Sequence, residues 1–424
     1  MAAKRLLTTA LAAPLLLTVL LTLLITLAAC TSSVDRRLVE GAVEEVTESP
    51  FYTLPSPVPA GQPGDIIRTE KLSSAPDGSI GWRVLYHTTD VTGANIVASG
   101  VIVAPDTPAP AGGRTVVGWG HPTTGAAVKC APSNGIDPFD LIEGLRALLT
   151  AGYVVAATDF PGMGVPGPNS YLIGRSEGNS VLDAVRAAQT MPDTGTTTKN
   201  DVLLWGHSQG GHAVLFAAQD ARTYAPELRL LGVAVAAPAA ELGTLFDDDI
   251  PDASGVTIGS YAFAAYQSVY AATIPGLSLD SILTPEGAAA TPGTAQLCLF
   301  GQHTTIHSDA LALVGHYTHS DPATTQPWAD LLRQNTPGAS PLGVPLFVAQ
   351  GAIDTLVLPS ATQQFVAQEC AKGEHVTFQL YPNTGHGLVA LKAVPAVMSF
   401  FTAVINGTVI NGSVINGAPP ASTC

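Results

Sequence analysis

The stretch VLLWGHSQGGHAVLFAAQ, residues 202–219, presses a serine between glycines where an apolar run gives way to a helical one. A flexible loop would explain the glycines but not the ordered flanks. In a strand-turn-helix elbow the chain turns so sharply that the serine takes strained backbone angles. The residues two away on either side then have no room for a Cβ. Gly206 and Gly210 flank Ser208, DVLLW precedes them, and GHAVLFAAQDA suits a helix after them. With 42 glycines in 424 residues the G-x-S-x-G spacing alone is weak, so the flanks carry the reading.

The rest of the chain repeats that strand-to-helix alternation. RTVVGWG, YVVAATDF, DVLLWG, LLGVAVAAP, PLFVAQG and HVTFQLYP read as β runs. Several are apolar throughout, as strands buried on both faces of a parallel sheet must be. Helical patterns lie between them, at 140–150, 180–190, 212–221 and 361–371. The pattern predicts a mostly parallel, doubly wound α/β sheet. Ahead of it IGWRVLYHT and NIVASGVIVAP, separated by TDVTGA, read as an antiparallel hairpin. From 241 to 341 helical stretches run without a clear strand, which reads as an inserted helical cap. The core is thus split into residues 65–240 and 342–404.

A serine hydroxyl is a poor nucleophile until a base takes its proton, and in sheets of this kind the order along the chain is Ser, acid, His. Beyond the cap only His375 and His386 remain. His375 lies inside EHVTFQLY, where alternation makes it a half-exposed strand residue. His386 lies in PNTGHG, a loop after the last strand, where a base must stand. PLFVAQGAIDTLV supplies the acid: an apolar strand, a glycine turn, then Asp354, whose bland role would be to cap the following turn. An oxyanion needs two backbone NH donors, and Gln209, at the start of the helix, supplies one. The other belongs in GWGHPTTGAAVKCAPS. Pro122 has no NH to give, which leaves Thr123 or Thr124, with Thr123 preferred and His121 a candidate wall of the pocket.

The N-terminus, MAAKRLLTTALAAPLLLTVLLTLLITLAAC, joins two basic residues, a long apolar stretch and small residues before a cysteine. It is long enough to span a bilayer, but LAAC resembles a bacterial lipobox, in which Cys30 is lipidated after residues 1–29 are removed. Residues 30–64, rich in Ser and Pro, read as a tether, so the mature protein is expected outside the cytoplasmic membrane on a lipid anchor. Lipidation of Cys30 leaves Cys130, Cys298, Cys370 and Cys424, an even number in an oxidising compartment. Two disulfides follow, with three pairings open. Residues 405–424 hold the repeat VINGTVINGSVINGAPP and read as a short irregular tail.

Hydrophobic residues at 46% and charged residues at 12% describe a globular chain, and a net charge of −15 repels phosphate backbones, so nucleic acid is an unsuitable partner. In the cap no charged residue occurs over 253–279, while Phe263, Tyr266 and Tyr270 recur at helical spacing, as cap core or as a lipid-touching surface. His303, His307, His316 and His319 have metal-compatible spacings, but no glutamate follows the first histidine as a metalloprotease motif requires, and surface or capping roles are preferred. The chemistry calls for no metal and no cofactor.

Together GHSQGG around Ser208, HPTTG, CAPS, YVVAATDFPGMGVPGPNSYLIG and SVLDAVRAAQ resemble the secretory lipase family, α/β-hydrolases similar to fungal lipase A enzymes. The resemblance covers residues 65–400. It implies lipase or esterase activity, a helical cap, and the Ser208, Asp354, His386 triad. It also implies that Cys130 pairs with Cys298, and with it Cys370 with Cys424. The family usually has a glycine-type turn where this chain has His-Pro before Thr123. The expected protein is a lipid-anchored serine hydrolase of carboxylic esters, with acylglycerols foremost. Acyl transfer, peptide cleavage or polyester hydrolysis would use the same triad, and a non-catalytic ligand-binding lipoprotein would dispense with it.

Overall fold

The computed structural model describes residues 49–196, 200–408 and 421–424. The expected signal sequence, Cys30 and most of the Asn-Gly repeat lie outside them. Three long strands, β1 (Ile66–Leu72), β2 (Ser79–Thr89) and β3 (Asn95–Pro105), pair antiparallel. They are followed by β4 (Val116–Gly120), β5 (Val154–Thr158), β6 (Asp201–His207), β7 (Arg229–Ala236), β8 (Leu346–Gly351), β9 (Val376–Tyr381) and β10 (Ala421–Thr423). All ten form one sheet in the order β1-β2-β3-β5-β4-β6-β7-β8-β9-β10, parallel from β5 through β9.

Alternate residues of the central strands feed two separate cores. Val116, Val154, Leu204, Val233 and Val348 face one side. There they meet α2 (Gly174–Thr190), α3 (Gln209–Tyr224) and Phe365 of α9 (Pro359–Ala371), while Val117, Val155, Leu203 and Phe347 face α1 (Leu145–Thr150) and α10 (His386–Ile405) on the other. Burial on both faces is why β4, β5 and β8 are apolar or small and inaccessible at nearly every position. This is the doubly wound arrangement of an α/β-hydrolase.

Between β7 and β8 the chain forms helices: α4 (Leu242–Asp249), α5 (Ala253–Tyr270), α6 (Pro285–Thr294), α7 (Leu299–Leu311) and α8 (Trp328–Gln334). Asp252 caps α5, accepting from the amides of Ser254 at 2.7 Å and Gly255 at 3.0 Å. Phe263, Tyr266 and Tyr270 are all buried, so the aromatic stripe is cap core and not a lipid-touching face. The Cys130–Cys298 disulfide ties α7 to the loop after β4, and Cys370–Cys424 ties the C-terminus to α9.

Two segments depart from the sequence reading. Part of the expected tether is packed: Phe51 is buried against Leu85, Val97 and Val165, and Arg68 donates to the carbonyls of Phe51 and Thr53 at 2.6 and 2.8 Å. Overall composition does not register one aromatic that finds an apolar groove. At the other end the tail is not wholly irregular, because β10 adds an antiparallel edge strand to β9, with Ser422 opposite Phe378.

Candidate active site

β6 ends at His207 and α3 begins at Gln209, so Ser208 alone makes the turn, at φ 56° and ψ −118°. That conformation is strained for any residue with a side chain. Three glycines make room for it. A Cβ on Gly206 would stand 2.2 Å from the Gly210 carbonyl oxygen, and one on Gly210 would stand 1.9 Å from that of Gly120 at the end of β4. The strained residue is pinned by its own backbone: its amide donates to Ala236 at 3.0 Å, and its carbonyl accepts from His212 at 3.0 Å and Ala239 at 3.2 Å.

Asp354 follows β8 and is buried. Its Oδ1 accepts from the amides of Leu356 and Val357, both at 2.9 Å, so it does cap the turn. Its Oδ2 accepts from Gln350 Nε2 at 3.2 Å and from His386 Nδ1 at 2.9 Å. The two roles weighed for this residue are held by different oxygens. Burial pushes the Asp354 carboxyl up, but the hydrogen bond and charge of His386, with the two amides, outweigh it and hold the group below its ordinary value. His386 is the first residue of α10 rather than part of the preceding loop, and Ser208 Oγ donates to its Nε2 at 2.9 Å. The three side chains thus form one hydrogen-bonded chain, drawn from three strand ends.

Ser208 opens into a narrow cavity with about 40 Å³ of free space. Gln209 and Thr123 line it, and among the described residues neither of their amides has a hydrogen-bond partner. Tyr171 shares a 2.8 Å hydroxyl hydrogen bond with Thr123 Oγ1. Thr124 points away, donating to the Cys130 carbonyl at 2.9 Å. Most of the remaining wall is apolar: Leu242, Leu245, Phe246 and Ile258 from the cap, with Leu356 and Val357. His121 is not part of that wall. It is buried against Phe160, its ring bonded to the Pro122 carbonyl at 2.7 Å, and burial lowers its pKa. His375 is exposed just before β9, and His303, His307, His316 and His319 are exposed on the cap.

Two buried groups next to the site had no local signature. Glu177 of α2 is wholly inaccessible. Its Oε1 accepts from Gln209 Nε2 at 2.7 Å and from the Leu172 amide at 3.1 Å, and its Oε2 faces His212 Nδ1 at 3.2 Å. His212 in turn bonds the Asn335 carbonyl at 2.7 Å, which connects the elbow helix to the end of α8. His207 places Nδ1 2.9 Å from Glu143 Oε2, and its ring lies 5.0 Å from that of His386.

Comparison with known proteins gives the family to which this fold belongs. The secretory lipase family model matches residues 140–412. Lipase A of Moesziomyces aphidis is 22% identical over 408 residues, spanning 90% of this chain and 84% of that protein. A secreted triacylglycerol lipase of Malassezia globosa is 24% identical over 383 residues, spanning 85% and 79%. Among solved structures, Candida antarctica lipase A superposes with a TM-score of 0.72 at 21% identity, covering 90% of this chain and 91% of that one. With more than half of its length matched by the family model, the chain belongs to the secretory lipase family and is an exported, lipase-type hydrolase of carboxylic esters.

Proposed function

We propose that the chain hydrolyses uncharged carboxylic esters, acylglycerols among them, through an acyl intermediate on Ser208. The observation that carries this is the hydrogen-bonded chain from Asp354 to His386 to Ser208, at 2.9 Å for each link, opening into an apolar cavity. His386 Nε2 takes the hydroxyl proton as Oγ attacks the ester carbonyl. The oxyanion so formed is received by the amides of Gln209 and Thr123. The imidazolium, held by Asp354, returns its proton to the leaving alkoxide, and the acyl-serine remains. Water then repeats the sequence and releases the carboxylic acid.

Apolar walls favour aliphatic acyl chains over charged substrates. A free space of about 40 Å³ is far below the roughly 300 Å³ that small-ligand sites occupy, so the side chains of Leu245, Phe246 and Ile258 are read as shifting aside before a long chain enters. The lipobox supports attachment to the outer face of the cell membrane through Cys30, which would hold the enzyme where lipid esters occur. A complete Ser, His, Asp set supports catalysis over a ligand-binding role.

A fluorophosphonate probe should label the wild-type protein and spare Ser208→Ala. A panel of esters of increasing chain length, with peptides and polyesters beside them, would then define the reaction. Labelling of Ser208→Ala at wild-type levels, or turnover of peptides but not esters, would overturn the reading.

A further inference from the structure

Asp249, the last residue of α4, is the single charged side chain among those that line the Ser208 cavity. It is 7% exposed, and its carboxyl makes no hydrogen bond or ion pair among the described residues. Its backbone is clamped. The Asp249 carbonyl accepts from the Asp252 amide at 2.8 Å, and a Cβ on Gly255 would stand 1.9 Å from that oxygen. A lone carboxyl held in an apolar wall facing the substrate has no structural partner to explain it.

Resting on the ester hydrolase reading above, we propose that Asp249 reads the charge of the substrate: its carboxylate form excludes esters that carry an anionic group on the chain bound in this cavity, and its neutral form admits them. The surroundings set which form is present. Burial comes first, followed by Asp252 at the head of α5, Asp248 on the same helix, and Asp354 after β8, itself paired with His386. Tyr171 adds only a neutral hydroxyl to the wall, and no lysine or arginine lines the cavity. These groups push the Asp249 carboxyl up to about 8, so it is neutral at pH 6 and ionised at pH 9.5. In a water-poor site a second carboxylate would meet full repulsion only in the ionised form.

The test compares ethyl hexanoate with monoethyl adipate, which replaces the terminal methyl by a carboxylate ionised throughout the range. Ethanol release is followed from pH 6 to 9.5, and the readout is the ratio of the two kcat/KM values, which cancels the common titration of the catalytic groups. In the wild type the preference for the neutral ester should grow by about tenfold as the pH passes 8. Asp249→Asn should hold a constant ratio. Asp252→Asn keeps an N-cap of equal quality but removes one like charge, so the midpoint should move to lower pH. That shift does not depend on Asp249→Asn folding well, and thermal melts check both variants. A flat wild-type ratio, an unchanged rise in Asp249→Asn, or an unmoved midpoint in Asp252→Asn overturns the assignment. Failure of the wild type to hydrolyse ethyl hexanoate at any pH would instead overturn the ester hydrolase reading itself.

Discussion

Asp354 presents one carboxylate oxygen to His386 at 2.9 Å and the other to the amides of the turn that follows it. Its replacement therefore tests catalysis and folding separately. Asp354→Asn keeps an acceptor for the turn but inverts the hydrogen-bonding demand on His386, holding the ring in the wrong tautomer. Turnover should fall by about four orders of magnitude. Thermal stability should change by only about 1 kcal/mol. The same change at Asp309 or Asp321, both exposed in the cap, should leave turnover intact. Assays with a short-chain ester alongside melts measure all three, and an active Asp354→Asn would mean that the acid lies elsewhere.

The elbow strain predicts an ordering among inactive variants. Ser208→Ala and Ser208→Gly both remove the hydroxyl proposed as nucleophile, but only glycine occupies φ 56°, ψ −118° without cost. Ser208→Gly should be more stable than Ser208→Ala by about 1–2 kcal/mol. Denaturant titration of the two proteins gives the difference directly, and equal midpoints would show that the turn is not strained.

What the sequence made legible follows from how local each signal is. The elbow could be read because its steric demand falls within five residues, and Asp354 and His386 because chain order restricts where they can stand. β1 was missed since IIRTEKL is a polar edge strand, and charged edges are what keep such strands from pairing further. α10 was missed because His386–Ile405 is apolar nearly all round and carries Pro395, so it shows neither a helical stripe nor an uninterrupted helical sequence. Glu143 and His207 meet across 64 positions of chain, and no spacing rule connects them.

The Glu143–His207 pair should appear in the pH dependence of stability. Burial opposes charge on His207, but the facing Glu143 carboxylate, with Asp354 and the His386 carbonyl, raises its pKa above 6.5 overall. A raised histidine contributes stability that is full below its unfolded value and is lost as pH rises through the folded one. Glu143→Gln should therefore cost on the order of 1–3 kcal/mol at pH 6 and progressively less toward pH 9. Melts at half-unit intervals check this. A constant difference between the proteins would show that His207 is not charged by Glu143.

Glu177 accepts from the Gln209 side chain at 2.7 Å, and if that bond positions the Gln209 amide its loss should appear in kcat rather than KM. Glu177→Ala frees the Gln209 side chain and leaves His212 facing an empty space, so kcat should fall by about tenfold with KM little altered. Glu177→Gln retains an acceptor for Gln209 Nε2 and should recover most of that loss. Similar kcat losses in both variants would point to a purely structural role.

The cap residues over Ser208 yield the remaining prediction. Phe246 is 2% exposed, lines the cavity, and packs its ring 5.1 Å from that of Phe263 in the cap core. Phe246→Ala should destabilise the protein by about 3 kcal/mol or more, because a buried aromatic is replaced by a void. The same void enlarges the free space beside Ser208. If cap displacement limits entry, the variant should gain on dispersed esters of long or branched acids while short-chain turnover stays nearly constant. Wild type should close that gap when the substrate is presented as an emulsion that holds the cap open. Rates on both forms of one long-chain ester, with melts to confirm folding, decide the matter. A variant that loses equally on short and long chains would mean that Phe246 shapes the site and that the cap does not control access to it.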